Sequence, residues 1–202
     1  MGVDMPGRRM GRPDATVRFD LLDATERVLA RDGYPAVTSR NVGREAGVDQ
    51  KLVFYYFKNM EELVVATFRR RSEAFLAELG RLASIESPIR ALWALSSHRS
   101  GRLVIEFMAM ATRNEALRDE VAAYSMRANE IIETLLATAL DPVWLERSPV
   151  SPALINFAIA SLARNLILEG ELGLLESSPD LTQQIEACLG MLEGRWTDGT
   201  PI

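Results

Sequence analysis

The chain of 202 residues has one cysteine, one histidine and two lysines, and each shortage removes a class of function. A single cysteine, Cys188, rules out an internal disulfide framework. It falls among Ile185, Leu189 and Leu192 at helical spacing, so it is expected as a packed thiol. The lone histidine, His98, stands in the sequence SSHRS. It excludes a metal site built from two or three histidines of one chain, and no serine around it has the setting of a nucleophile elbow. Catalysis is therefore not expected, and neither is a metal or other cofactor. Arg, Asp or Glu breaks every hydrophobic stretch before about eighteen apolar residues accumulate, and the amino terminus lacks the apolar centre of a signal peptide. The expectation is a soluble cytoplasmic protein with no membrane partner.

What is present is an uneven charge. The net charge of −5 argues at first against a polyanionic partner. Residues 1–58, however, carry ten Lys and Arg against eight Asp and Glu, whereas the remainder carries thirteen against twenty. A mildly basic first quarter on an acidic body fits a chain whose amino-terminal part alone meets phosphate. Both lysines, Lys51 and Lys58, fall in that quarter, against twenty-one arginines spread over the whole chain.

Apolar periodicity reads as helix throughout. Residues 1–14, with Gly2, Pro6, Gly7, Gly11, Pro13 and the basic Arg8, Arg9 and Arg12, are expected to be a flexible basic arm. Leu21, Ala24, Thr25, Val28 and Leu29 mark one face of a helix from about Thr16 to Asp32, closed by Gly33. Thr38 has the chemistry of an N-cap for a short helix that stops at Gly47. Asp49 caps a third helix from Gln50 to Tyr56, and Asn59 with Glu62 has capping-box spacing ahead of a long helix to about Leu82. Five further helices are expected, roughly 88–97, 102–112, 115–140, 152–169 and 179–196, with a loop over 143–150.

The segment from Thr38 to Phe57 has the form of a helix-turn-helix: a short helix, a glycine turn and a second short helix. At about 100° per residue, Val53 and Phe57 face a core, while Lys51 and Tyr55 point the opposite way and Gln50 leads the helix. Gln pairs with the adenine edge, and Lys with guanine or a phosphate. The stretch GYPAVTSRNVGREAGVDQKLVFYYFKNMEEL resembles the amino-terminal domain of the tetracycline repressor (TetR) family, above all in REAGV, the aromatic run FYYF and the KN with an acidic pair. That resemblance implies an all-α fold of about nine helices. It would comprise a DNA-binding domain at 15–75, with its motif at 38–57, and a larger ligand-binding and dimerisation domain at 76–202. It also implies that Thr38 and Arg40 meet phosphate and a base edge, and that Gln50, Lys51 and Leu52 occupy the base-reading positions. Phe54 and Tyr56 would touch the backbone, and Lys58 with the free N–H groups after Asn59 would clamp a phosphate. Tyr55 is expected beside them. Lys51, Leu52 and Phe54 depart from the family's usual Gly or Pro, Thr and Tyr.

In the body, Leu154–Leu168 is apolar almost all round. With the stripe Leu181, Ile185, Leu189, Leu192 and Trp196, it is expected to form a homodimer face. The bulky residues Trp93, Phe107, Met110, Tyr124 and Phe157, together with Met108 and Met126, are candidates for a pocket taking a small, mostly apolar effector. The functional expectation is a repressor released from a palindromic operator on double-stranded DNA. The alternative is a helical protein-interaction module without DNA binding.

Overall fold

A computed structural model of the chain describes residues 15–98, 101–175, 180–194, 196–197 and 200–201. The expected basic arm therefore lies outside the described residues. The chain divides into two compact units, one ending at Thr67 and the other starting at Phe68. The division falls inside a single helix.

In the first unit, α1 (Ala15–Asp32) packs on α2 (Ser39–Ala46), which packs on α3 (Lys51–Tyr56). The five periodic residues of α1 are all buried, joined by Leu22, and they share the interior with Val37, Val42, Val53 and Phe57. The helix ends are fixed by side chains. Thr38 Oγ1 accepts the Asn41 N–H, Asp49 Oδ1 accepts the Lys51 N–H at 2.8 Å, and Gly47 closes α2 at φ 70°. Around that glycine, the Val48 N–H reaches the Gly43 carbonyl and the Gly47 N–H the Arg44 carbonyl. This reverse pairing satisfies carbonyls that the helix end would otherwise leave open. Arg27 and Arg31 of α1 both hold the carboxylate of Glu45 on α2, at 2.7 and 3.0 Å.

The helix α4 (Met60–Leu82) begins in the first unit. Asn59 Oδ1 accepts the Glu62 N–H at 2.7 Å, and the Glu62 carboxylate accepts the Lys58 N–H at 3.0 Å. The carboxylate thus reaches one residue further back than the expected box requires. From Phe68 onward α4 belongs to the second unit, with α5 (Pro88–Ser97), α6 (Gly101–Ala111), α7 (Glu115–Ala139), α8 (Pro142–Arg147), α9 (Pro152–Glu171) and α10 (Leu181–Leu192). Here α9 packs against α5, α6 and α7, and α10 against α5. Leu79, Leu92, Trp93, Leu136, Ile159 and Leu189 are part of the core they enclose.

Two expectations are corrected here. The segment taken as a loop contains α8, because Asp141 accepts the Trp144 N–H at 2.8 Å and Pro142 presets the first turn. The last helix ends at Leu192 rather than Trp196, and Trp196–Thr197 instead pairs antiparallel with Thr200–Pro201. Helix α9, expected to be apolar almost all round, is long and apolar enough by length and composition to cross a membrane. Only 22% of its most apolar window is buried within the chain. Its buried residues are Ile155, Asn156, Ile159 and Ala163, so a second apolar side is left uncovered.

Candidate nucleic-acid interface and cavity

The six residues of α3 divide as their helical angles require. Val53 is fully buried, and Phe57, one turn on, is buried too, with the Arg18 guanidinium 5.1 Å from its ring centre. Gln50, Lys51, Phe54 and Tyr55 are exposed, Tyr55 by 62% and Phe54 by 53%. Leu52 and Tyr56 are half-buried, and Tyr56 meets the Tyr55 ring edge-on at 5.2 Å. Thr38 and Arg40 are exposed at the start of α2, as is Lys58 ahead of α4. The sequence reading missed Arg44, which is exposed one turn beyond Arg40 and donates to Asn41 Oδ1 at 3.1 Å. Its i, i+4 spacing from Arg40 was the available signal. Also missed was Gly43, where the backbones of α2 and Gln50 approach closely. One implied phosphate clamp is reduced, because the Glu62 N–H is already taken by Asn59.

In the second unit, α4, α5, α6, α7 and α9 enclose a cavity of about 150 Å³. Its aromatic wall is Phe68, Phe75 and Tyr124, with Tyr124 edge-on to both phenylalanines at 5.7 and 6.1 Å. Polar groups reach it from Ser96, Ser125, Asn129 and Asn156, and charged ones from Arg71 and Arg164. The Asn156 amide donates to Asn129 Oδ1 at 3.0 Å, which ties α9 to α7 beside the cavity. Burial raises the Tyr124 phenol to about 12, with the charges of Arg71 and Arg164 pulling the other way, so the hydroxyl keeps its proton at neutral pH.

Of the expected pocket residues, Tyr124 lines this cavity, and so does Met108. The others are corrected. Phe107 is fully buried behind Phe68, at 5.2 Å, and Trp93 belongs to the core between α5, α9 and α10. Met110 is half-buried away from the lining, and Met126 is exposed. Phe157 is 67% exposed, because the inner face of α9 runs through 155, 156, 159 and 163.

A second concave surface, of about 350 Å³, is a groove between α9 and α10 lined by Leu154, Ala158, Leu162, Leu181 and Cys188. All four expected dimer residues line this groove: Leu154 is exposed, Leu192 half-buried, and Ile185 and Leu189 are buried at its floor, where they also join the core of their own chain. Cys188, expected as a packed thiol, is exposed beside them.

Comparison with known proteins bears on the first unit most directly. Residues 21–67 match the sequence model of bacterial regulatory proteins of the tetR family. This unit is thus similar to the amino-terminal domain of the tetR family. The regulator BetI of Rhizobium meliloti (strain 1021) is 31% identical over 127 residues, covering 60% of this chain and 58% of that protein. The fatty acid metabolism regulator protein of Bacillus subtilis (strain 168) is 25% identical over 120 residues, covering 58% and 61%. The chain thus spans about three fifths of the length of these curated relatives. Among solved structures, reduced NemR of E. coli superposes with a TM-score of 0.70 at 16% identity, over 88% of this chain and 97% of that one. A transcriptional regulator from Saccharomonospora viridis in complex with choline gives 0.63 at 18% identity, over 88% and 97%. At such identities the likeness establishes the fold, which is the all-α arrangement expected. The family and these relatives are transcriptional regulators rather than enzymes, in agreement with the reading of His98 and Cys188.

Proposed function

We propose that the protein is a sequence-specific DNA-binding repressor, acting as a homodimer on a palindromic operator and released by a small effector held in the second unit. The observation that carries the reading is the division of α3. Val53 and Phe57 anchor the helix, while Gln50, Lys51 and Tyr55 are exposed on a domain matched by the tetR family model. Gln50 and Lys51 read base edges, Leu52 presses on a thymine methyl, and Thr38, Arg40, Phe54, Tyr56 and Lys58 hold the backbone. Dimerisation supplies the second half-site, since six residues of helix reach only a few base pairs.

The apolar face that α9 and α10 leave uncovered supports a second copy of the chain as the partner. Leu154, Phe157, Leu162 and Leu168 are exposed along one side of α9, and Met191 on α10, a density of apolar side chains that marks an interface rather than ordinary surface. The cavity supports the effector site. A ligand there acts through α4, which is one continuous helix from Met60 to Leu82, by binding one of two states of the protein more tightly.

Gel shifts with the DNA flanking its own gene test the reading. The expected result is a discrete complex, about a thousandfold or more tighter than on random DNA, with a palindrome protected. Equal affinity for both DNAs would sink sequence-specific binding, and no binding to either would favour a helical protein-interaction module.

A further inference from the structure

The chemistry of the cavity narrows its ligand further than the apolar effector expected from sequence. Its lining brings together two guanidinium groups, Arg71 from α4 and Arg164 from α9, with no aspartate or glutamate among the lining residues. Among the described residues, Arg164 meets the hydroxyl of Ser161 at 3.5 Å and no carboxylate, and it is half-buried. A positive charge withdrawn from water without a counter-charge is costly, and an anion arriving in the cavity removes that cost. The Tyr124 hydroxyl and the amides beside it are neutral groups that donate hydrogen bonds. The rest of the wall is apolar, with the edges and faces of Phe68, Phe75 and Tyr124 placed to stack on a ring. About 150 Å³ is the space that one benzene-sized molecule occupies in a protein interior.

We infer that the cavity takes a small aromatic carboxylate, its ring against Phe68, Phe75 and Tyr124 and its carboxylate on Arg164, with Arg71 adding positive potential. The inference rests on the reading of the cavity as an effector site, and it adds the charge and size of the occupant. The charge of Arg164 opposes a quaternary ammonium ion at the same place.

Calorimetric titration of the full chain with benzoate, neutral benzyl alcohol and cationic benzyltrimethylammonium tests it. Benzoate should bind about tenfold or more tightly than either of the others, the margin expected of a charge-assisted hydrogen bond over a neutral one. Arg164→Gln should erase that margin while leaving benzyl alcohol binding and the melting temperature of the free protein unchanged. If Arg164→Gln does not fold, Arg164→Lys keeps the charge and loses the forked geometry, and should weaken benzoate without abolishing its advantage. Equal binding of benzoate and benzyl alcohol, a preference for the cation, or no heat from any of the three at millimolar concentration overturns the inference. The operator gel shift separates the two readings. Benzoate that binds through Arg164 yet leaves DNA affinity unchanged upholds the carboxylate site and defeats release by effector.

Discussion

At Gly43 a Cβ would lie 3.0 Å from the Gln50 Cα, 3.1 Å from its nitrogen and 3.1 Å from the Val48 carbonyl oxygen. All three are backbone atoms of the turn that leads into α3, so none can swing aside. Replacing a helical glycine by alanine ordinarily gains about 1 kcal/mol, whereas forcing a methyl into a filled site costs about 1 to 3 kcal/mol. Gly43→Ala should therefore lower the melting temperature and, on the proposed reading, the affinity for DNA together, because it displaces Gln50, which leads α3. A melting temperature at or above that of the parent protein would show that the turn gives way. The exposed residues of α3 answer to a different measurement. Lys51→Ala or Gln50→Ala should weaken operator binding selectively, by about 1 to 3 kcal/mol for a bidentate contact. Equal loss on operator and random DNA would remove the base-reading role. Lys58→Ala should weaken all sequences alike and reduce the slope of affinity against salt by about one.

Between elements, two carboxylates hold helices in place, and each gives a test. Hydrogen bonds from Arg27, and then from Arg31, hold the Glu45 carboxyl below its ordinary value of 4.5, which fastens α2 to α1. A depressed acid stabilises the fold above its ordinary value and stops doing so as pH falls through the lower, folded one. Melting temperature should accordingly fall on acidification below about 4.5, and Glu45→Gln should be lower at neutral pH and flatter on the acid side. An unchanged acid limb would mean that the two arginines contribute nothing there. The second carboxylate, Glu193, lies just past α10 and accepts the N–H groups of Ile89 and Arg90 at the start of α5, both at 3.1 Å. It comes from 104 residues away, so no local capping pattern could reveal it. Glu193→Ala should cost about 1 to 3 kcal/mol by leaving two N–H groups without their acceptor, and Glu193→Gln less, in chemical denaturation. The contrast with Thr38, Asp49 and Asn59 explains what was legible. Their caps act over two or three residues, so the sequence displays them, and α2, α3 and α4 fall where those caps require. The carbonyl-closing turn at Gly47 was visible for the same reason, whereas α8 was hidden by a Pro142 that reads equally well as a helix start or as a turn.

For the whole molecule, periodicity showed that α9 and α10 were apolar but not which side of each was covered by its own chain. Ile185 and Leu189 look like interface residues on a helical wheel. The tertiary packing shows that both are buried at the floor of a groove that Leu154, Ala158, Leu162, Leu181 and Cys188 also line, and it is this groove that is left for a partner. The cavity was misread, since Phe107, Trp93 and Phe157 have the right character but sit behind, beside and outside it. If a second copy covers the groove, Leu162→Glu together with Phe157→Glu should leave the chain folded, because both residues are exposed. The pair should convert a two-chain species into a single-chain one in sedimentation at low micromolar concentration. Cys188 then becomes a reporter that needs no mutation of its own. Its thiol is exposed in the isolated chain and lies in the groove that the partner would close. Alkylation of Cys188 should be slow in the parent protein and fast in the double variant. Fast alkylation of the parent, or a parent that sediments as one chain, would remove the dimer and with it the second half-site on which palindromic recognition depends.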